Sequence, residues 1–382
     1  MRINEVKVYP ISLPFLADFS HSIRKRSSVN NIVVEVIAER GDLRGYGEGA
    51  PRSYVTGETQ ESTTKSIRTM LEMDSFPRAL IDVSQIWNFV DQLPEGKEHN
   101  SAVCALEMAL LDLLGKGTKR SIIEYFPQDY LNERVTYGVA LPLEDKKRIL
   151  EMSRRIKDMG INRLKLKMGK DFELNQVIVE AVRQVFGLES DLKVDVNGVW
   201  DRYLAFKHTS LIKEHHIRII EQPMMPGNPE IAEFAERMQE ERVKIMADES
   251  ACAFEDVENI AANRHYNMIN VRLSKCGGFR RSFRIIHYLR KKGIHFQIAC
   301  QLGESGLLSA AGRILSILCR DALYHDGSYD EFLLKENVTV ENVSFGYGGS
   351  AGPLGGNGLG VQINKKNLER LCNGKIFEGR VQ

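Results

Sequence analysis

Two lysines stand one residue apart in Arg163-Leu-Lys-Leu-Lys-Met-Gly169, a segment otherwise composed like a buried strand. In a strand, residues i and i+2 point to the same side, so Lys165 and Lys167 share one face. Two ammonium groups so close disfavour each other's charge. One of them is therefore expected to titrate below the ordinary lysine value, as a lysine acting as a base requires. Three acids end further apolar runs: Asp195 in LKVDVNG, Glu221 in IRIIEQP and Asp248 in VKIMADES. Another lysine, Lys275, closes MINVRLSK. For one such acid, pairing with a nearby lysine or arginine is the simpler role. Three of them brought together repel unless a divalent cation joins them, and all-oxygen ligation suits Mg2+ or Mn2+ rather than zinc.

The order of elements around these residues is regular. From about residue 134 a helical stretch, a short β-rich run and a polar residue followed by Gly, Pro or Ser recur. The polar residues near the strand ends are Lys165, Asp195, Glu221, Asp248, Lys275, Gln301 and Asp326, separated by 30, 26, 27, 27, 26 and 25 residues. A strand, a helix and two short loops occupy that length. Eight such strands, beginning with RVTYGVAL, indicate a (β/α)8-type barrel over residues 131–330, in which the active site lies at the C-terminal strand ends. Residues 1–130 differ, with strand-like EVKVYPISL and NNIVVEVIAE ahead of helical stretches such as NSAVCALEMALLDLLGK, and are expected to form a separate α+β capping domain. The segment 331–382 is Gly-rich at first and is expected to return to that domain.

In an eight-stranded barrel the second and sixth strands are opposite. Lys167 and Lys275 then face each other with the acids on the rim between them. A carboxylate substrate held there has its α-carbon between two amines, one able to remove a proton and the other to return one on the opposite face. The metal would stabilise the enediolate, and Lys165 would add positive charge near the substrate oxygens. A Schiff-base lysine, as in an aldolase, is a different reading that leaves the three acids without a role. A non-catalytic binding barrel leaves the paired lysines without one.

These residues resemble the enolase superfamily, and within it the muconate-lactonising-enzyme-like subgroup. The resemblance rests on Lys165-Leu-Lys167, Asp195-Val-Asn197, Glu221-Gln-Pro223, Asp248-Glu-Ser250 and Lys275-Cys-Gly-Gly278, in family order, together with VTGET at Val55–Thr59 and GLGV at Gly358–Val361. It implies a capping domain over a modified barrel, one Mg2+ on Asp195, Glu221 and Asp248, an acid/base pair of Lys167 and Lys275, and an assembly of identical subunits. The implied reaction is removal of a proton α to a carboxylate, foremost by a racemase or epimerase of N-acyl amino acids or dipeptides, with a muconate-type cycloisomerase as the alternative. Candidate substrate-binding residues are Arg24, Tyr54, Asn197, Glu304 and Asp326. Many dipeptide epimerases carry Asp-x-Asp at the eighth strand for the substrate ammonium; here Tyr324-His-Asp326 supplies only the second acid.

Composition excludes little and agrees with this. Against 52 basic residues stand 51 acidic ones, which gives no electrostatic case for nucleic acid or an anionic membrane as partner. The charged N-terminus and the lack of a long apolar run point to a cytoplasmic protein. Six scattered cysteines form no CxxC pair, which fits reduced thiols. The glycines from Gly346 to Gly360 are not followed by Gly-Lys-Ser/Thr, so no phosphate loop is expected, and Arg290-Lys-Lys292 before Gly293 marks a helix end.

Overall fold

Apolar residues alternate along the first forty positions, and in the computed structural model, which describes residues 1–20, 25–39 and 41–381, they pair as strands. An antiparallel sheet has the order Phe377–Arg380, Ile3–Ser20, Lys25–Ala38, Arg44–Gly49. The C-terminal end of the chain thus supplies an edge strand to the N-terminal sheet, through Glu5 opposite Arg380 and Val8 opposite Phe377. Helix Asn100–Thr118 lies across this sheet and is buried along nearly its whole length. Its close approach has a visible cause in Arg-Gly-Tyr-Gly-Glu-Gly. Gly45, Gly47 and Gly49 present bare backbone to it, and a Cβ on Gly47 would fall 2.1 Å from the Ala105 carbonyl oxygen.

The second unit is a closed parallel barrel. Its strands are Val135–Leu141, Arg163–Lys167, Asp191–Asp195, Ile219–Glu221, Lys244–Ala247, Met268–Arg272, His295–Ala299 and Tyr324–Asp326. The eighth strand closes on the first through His325 opposite Tyr137 and Asp326 opposite Gly138. Helices follow the strands because the sequence starts and stops them: the Asp145, Asp171 and Asp201 side chains accept from the N3 amides of the first three, while Gly187 and Gly293 turn the chain out of helices Phe172–Phe186 and Gly278–Lys292 with φ of +75° and +65°. The helix that directly follows the eighth strand, Asp330–Leu333, is only four residues long.

The two units grip each other through buried polar contacts. Glu107, on the long helix of the first unit, accepts from the Phe279 and Arg280 amides at the start of helix Gly278–Lys292, and burial pushes its carboxyl up to about 8. Asn100 donates to the Lys275 and Cys252 carbonyls at 2.6 and 2.9 Å, and Arg52 donates to the Leu302 carbonyl. On the other side of the sheet, Lys365 from the C-terminal segment donates to Glu35 at 2.7 Å, beside Tyr9, Arg44 and Tyr46. Burial alone would raise the Glu35 carboxyl, but its hydrogen bonds from Lys365, Tyr9, Arg44 and Tyr46 outweigh this and bring it down to about 2.

Two outcomes are expected. Gly47→Ala lowers the stability measured by urea unfolding by about 1–3 kcal/mol, because the methyl meets main chain rather than a yielding side chain. The folded-state value of Glu35 lies below the unfolded one of about 4.3, so its stabilisation is complete above that pH and is lost as pH falls toward 2. Glu35→Gln therefore lowers neutral-pH stability and flattens the acid limb of the pH profile.

Candidate functional site

The barrel register brings the candidate residues to one level. Lys167 pairs with Asp195, and Asp195 with Glu221, as the last residues of the second, third and fourth strands. Asp248 follows Ala247, the last residue of the fifth. Lys165 sits two residues below Lys167 on the same side. Directly after Asp195 and Glu221 the chain turns sharply, with Asn197 and Gln222 at φ of +50° and +40°, a region few side chains occupy. The Gln222 side-chain oxygen Oε1 accepts from the Asp248 and Ser250 amides at 3.0 and 3.1 Å, so the residue in the strained turn after one acid holds the backbone of the next.

Charge is compensated pair by pair. Lys167 Nζ donates to Asp195 Oδ2 at 2.5 Å and Asn197 Oδ1 at 2.9 Å. Lys165 Nζ lies 3.2 Å from Glu221 Oε2, 3.1 Å from Asp326 Oδ2 and 3.9 Å from Asp195 Oδ2. Arg272 Nη2 bridges Glu221 Oε1, at 3.1 Å, and Asp248 Oδ2. Asn270, on the same side of the sixth strand, donates to Glu221 Oε1 at 2.7 Å. Burial works against the charge of Lys165, yet Glu221, Asp326 and Asp195 outweigh it and hold the ammonium above its ordinary value. The nearest charges to Lys165 are thus carboxylates rather than the other lysine.

The structure separates some residues that spacing had grouped. The sixth strand ends at Arg272, and Lys275 belongs to the helical turn Leu273–Cys276, which ends at Gly277 with φ +84°. Lys275 is fully enclosed, and its three ammonium hydrogens meet the Asp248 carbonyl at 2.8 Å, Asp248 Oδ1 at 3.1 Å and the Asn270 carbonyl at 2.6 Å. Asp326 is not on the cavity wall; it lies in the barrel interior with Lys193 at 2.8 Å as well as Lys165, and these cations draw it well below the usual carboxylate range despite burial. Tyr54, Asn197 and Glu304 line the cavity, whereas Arg24 falls outside the described residues.

That cavity has a volume of about 490 Å³. Lys165, Lys167, Asn197, Glu249 and Arg272 form its polar end, above the three enclosed acids. Elsewhere its wall carries an apolar stretch of Leu16, Met152, Ile156, Phe332, Leu333 and Phe345, interrupted by Arg148, Arg155, Glu304 and Asp330. Arg272, Asn270 and Glu249 did not emerge from the sequence as site residues. Arg272 satisfies the strand-end rule as well as Lys275 does, and Asn270 follows from it by the two-residue period.

Whether these residues suit a divalent cation can be judged from the oxygens. Among the described residues no three His, Cys, Asp or Glu side chains form a ready cage, because Lys165 and Arg272 stand between the acids. The donor set is nevertheless of the right kind: carboxylates from three successive strands, with a fourth, Glu249, whose Oε1 accepts from Asn197 at 3.1 Å. Glu249 Oε2 is buried with no hydrogen bond, and burial, then repulsion by Asp248 and Asp195, pushes its carboxyl up to about 8. Negative charge exceeds local relief there, and a divalent cation fits once Arg272 and Lys165 yield.

A family model described as Enolase C-terminal domain-like matches residues 148–367, more than half of the chain. A hydrophobic dipeptide epimerase of Enterococcus faecalis (strain ATCC 700802 / V583) is 24% identical over 377 residues, covering 97% of each chain. Among solved structures, the N-succinyl Arg/Lys racemase from Bacillus cereus ATCC 14579 is similar with a TM-score of 0.88 at 23% identity, over 100% of both chains. The dipeptide epimerase from Cytophaga hutchinsonii complexed with Mg and the dipeptide D-Ala-L-Val gives 0.84 at 21% identity, over 99% of this chain and 100% of that one. Among the described residues no helix is long and apolar enough to cross a membrane.

The enclosure of Lys275 has a measurable consequence. Lys275→Met removes one partner of a buried ion pair and leaves two main-chain carbonyls without their donor. A loss of about 3–5 kcal/mol in urea unfolding is expected.

Proposed function

The chain belongs to the Enolase C-terminal domain-like family and is an isomerase of the enolase superfamily, and from that premise we propose that it removes the proton α to the carboxylate of an N-acyl amino acid or dipeptide, with Lys167 as the base. The observation that carries this reading is the position of Lys167. It is the last residue of the second strand, lines the cavity, and is aimed by Asp195 and Asn197. In its neutral form the amine accepts the proton while the C–H electron pair moves into the C–C bond of the enediolate, and the same nitrogen can later return it. Asn197 and Asp195 keep the amine from swinging away; Lys165 contributes fixed positive charge at the floor.

Asp195, Glu221 and Asp248 would hold a Mg2+ ion, with Mn2+ as a substitute, and such an ion supplies positive charge that makes the C–H beside a bound carboxylate more acidic. The Mg present in the Cytophaga hutchinsonii epimerase structure supports that assignment. The substrate class rests on the names of the relatives, dipeptide epimerases and N-succinyl amino-acid racemases. The apolar wall of Met152, Ile156, Phe332 and Phe345 suits a hydrophobic substituent on such a molecule. Asp326, already occupied by Lys165 and Lys193, supports an acylated nitrogen over a free ammonium at the eighth strand. Racemisation or epimerisation, the activity in those names, requires in addition a proton carrier on the opposite face of the α-carbon.

The test is deuterium incorporation at the α-carbon of N-succinyl amino acids and dipeptides in heavy water with Mg2+, followed by mass spectrometry. Lys167→Ala is expected to slow incorporation by about 10²–10⁴-fold while leaving the fold intact by circular dichroism. Chelation by EDTA is expected to abolish it, with recovery on adding Mg2+. Parental exchange rates in Lys167→Ala would refute the assignment of the base.

A further inference from the structure

The wall across the barrel from Lys167 is built by the sixth strand, and its last residue is an arginine. Arg272 lines the same cavity as Lys167, and among its donors Nη1 meets Gln301 Oε1 at 3.1 Å and Nη2 meets Glu221 Oε1 and Asp248 Oδ2. Its Nε is buried without a partner and has its hydrogen still to give. A guanidinium offers five N–H donors and no acceptor atom, so it can hold an oxyanion but has no lone pair with which to take a proton from carbon. The neighbouring amine does not fill that role. Lys275 is enclosed, and each of its three hydrogens is accepted, two of them by main-chain carbonyls that cannot move aside.

We propose that Arg272 makes proton transfer in this enzyme one-sided: the α-proton leaves and returns on the Lys167 face alone, while Arg272 holds the substrate's oxygens from the other side. This rests on the α-proton reading above and narrows it. The proton taken by Lys167 goes back to the same face of the carbon, or passes from the amine to the released group or to water while the enediolate pair forms a Cα=Cβ bond, breaks the β-bond of a ring and leaves one ring-opened molecule. In either case configuration at the α-carbon is not scrambled. The chemistry then belongs with one-face isomerisation, and a racemase would need a change at this one position.

The experiment uses the full chain with Mg2+ in heavy water and matched pairs of probes, N-succinyl-L- and N-succinyl-D-arginine and L-Leu-L-Tyr with L-Leu-D-Tyr. Deuterium content and configuration are followed by mass spectrometry and chiral chromatography. The expected result is exchange at least about 100-fold faster in one member of a pair than in the other, with configuration retained. Arg272→Lys is expected to introduce exchange into the second member and interconversion of the pair, which a merely structural role would not produce. If that variant does not fold, the parental pattern alone decides. Interconversion of a pair by the parental chain, with deuterium in both members, overturns the proposal. Should Glu304→Gln then abolish exchange in one member, Glu304 is the second proton carrier. No deuterium in any probe with the parental chain overturns the α-proton reading itself, and the one-sided proposal with it.

Discussion

Buried charge is tolerated only where it is matched, and the C-terminal end of this barrel is organised around that requirement. Lys165, Lys167, Lys193, Arg272 and Lys275 stand among Asp195, Glu221, Asp248, Glu249 and Asp326, most of them out of reach of water. Removing one partner of such a pair strands the other at a cost of several kcal/mol, so the side chains are constrained as a group. That constraint explains why the polar interior extends below the site, where Gln297 and Asp326 share the Lys193 ammonium. It also explains why the turns after the acids are strained. Asn197 and Gln222 take up left-handed backbone because their side chains are needed for Lys167 and for the amides of Asp248 and Ser250.

The first unit does more than cover the cavity. Its long helix holds the loop after the sixth strand at two points, Asn100 on the Lys275 carbonyl and Glu107 on the free amides of the next helix. The position of the sixth-strand turn, and with it the enclosure of Lys275, therefore depends on residues more than 150 positions away in sequence.

Much of this was legible before the structure. Regular steps between polar residues at strand ends identified the barrel, and three acids in successive strands marked the end of it over which the cavity lies. The sixth strand shows why spacing alone was insufficient. Arg272 and Lys275 are both cations at the end of MINVRLSK, and counting from Asp248 to Gln301 gives steps of 24 and 29 through Arg272 but 27 and 26 through Lys275. Regularity favoured Lys275; the backbone chose Arg272, because Leu273 to Cys276 coil into a turn that carries the lysine inward. The pairing of Asp326 was hidden for a different reason. Its partner Lys193 lies 133 residues earlier, in a strand where only Asp195 drew notice, and no local pattern announces a contact across a barrel.

The glycine ladder Gly45, Gly47, Gly49 has a further bearing. Side chains between two elements act as bearings that let one slide on the other, whereas backbone against helix leaves no such play. The sheet and helix Asn100–Thr118 must therefore move as one stiff body, and that body is fastened to the loop behind the sixth strand through Asn100 and Glu107. Adaptation to a new substrate is then left to segments outside this body, such as the short helix bearing Phe332 and Leu333, which contributes to the apolar wall of the cavity. The fold divides its labour so that the chemistry is held rigid while the part that selects the molecule remains free to vary.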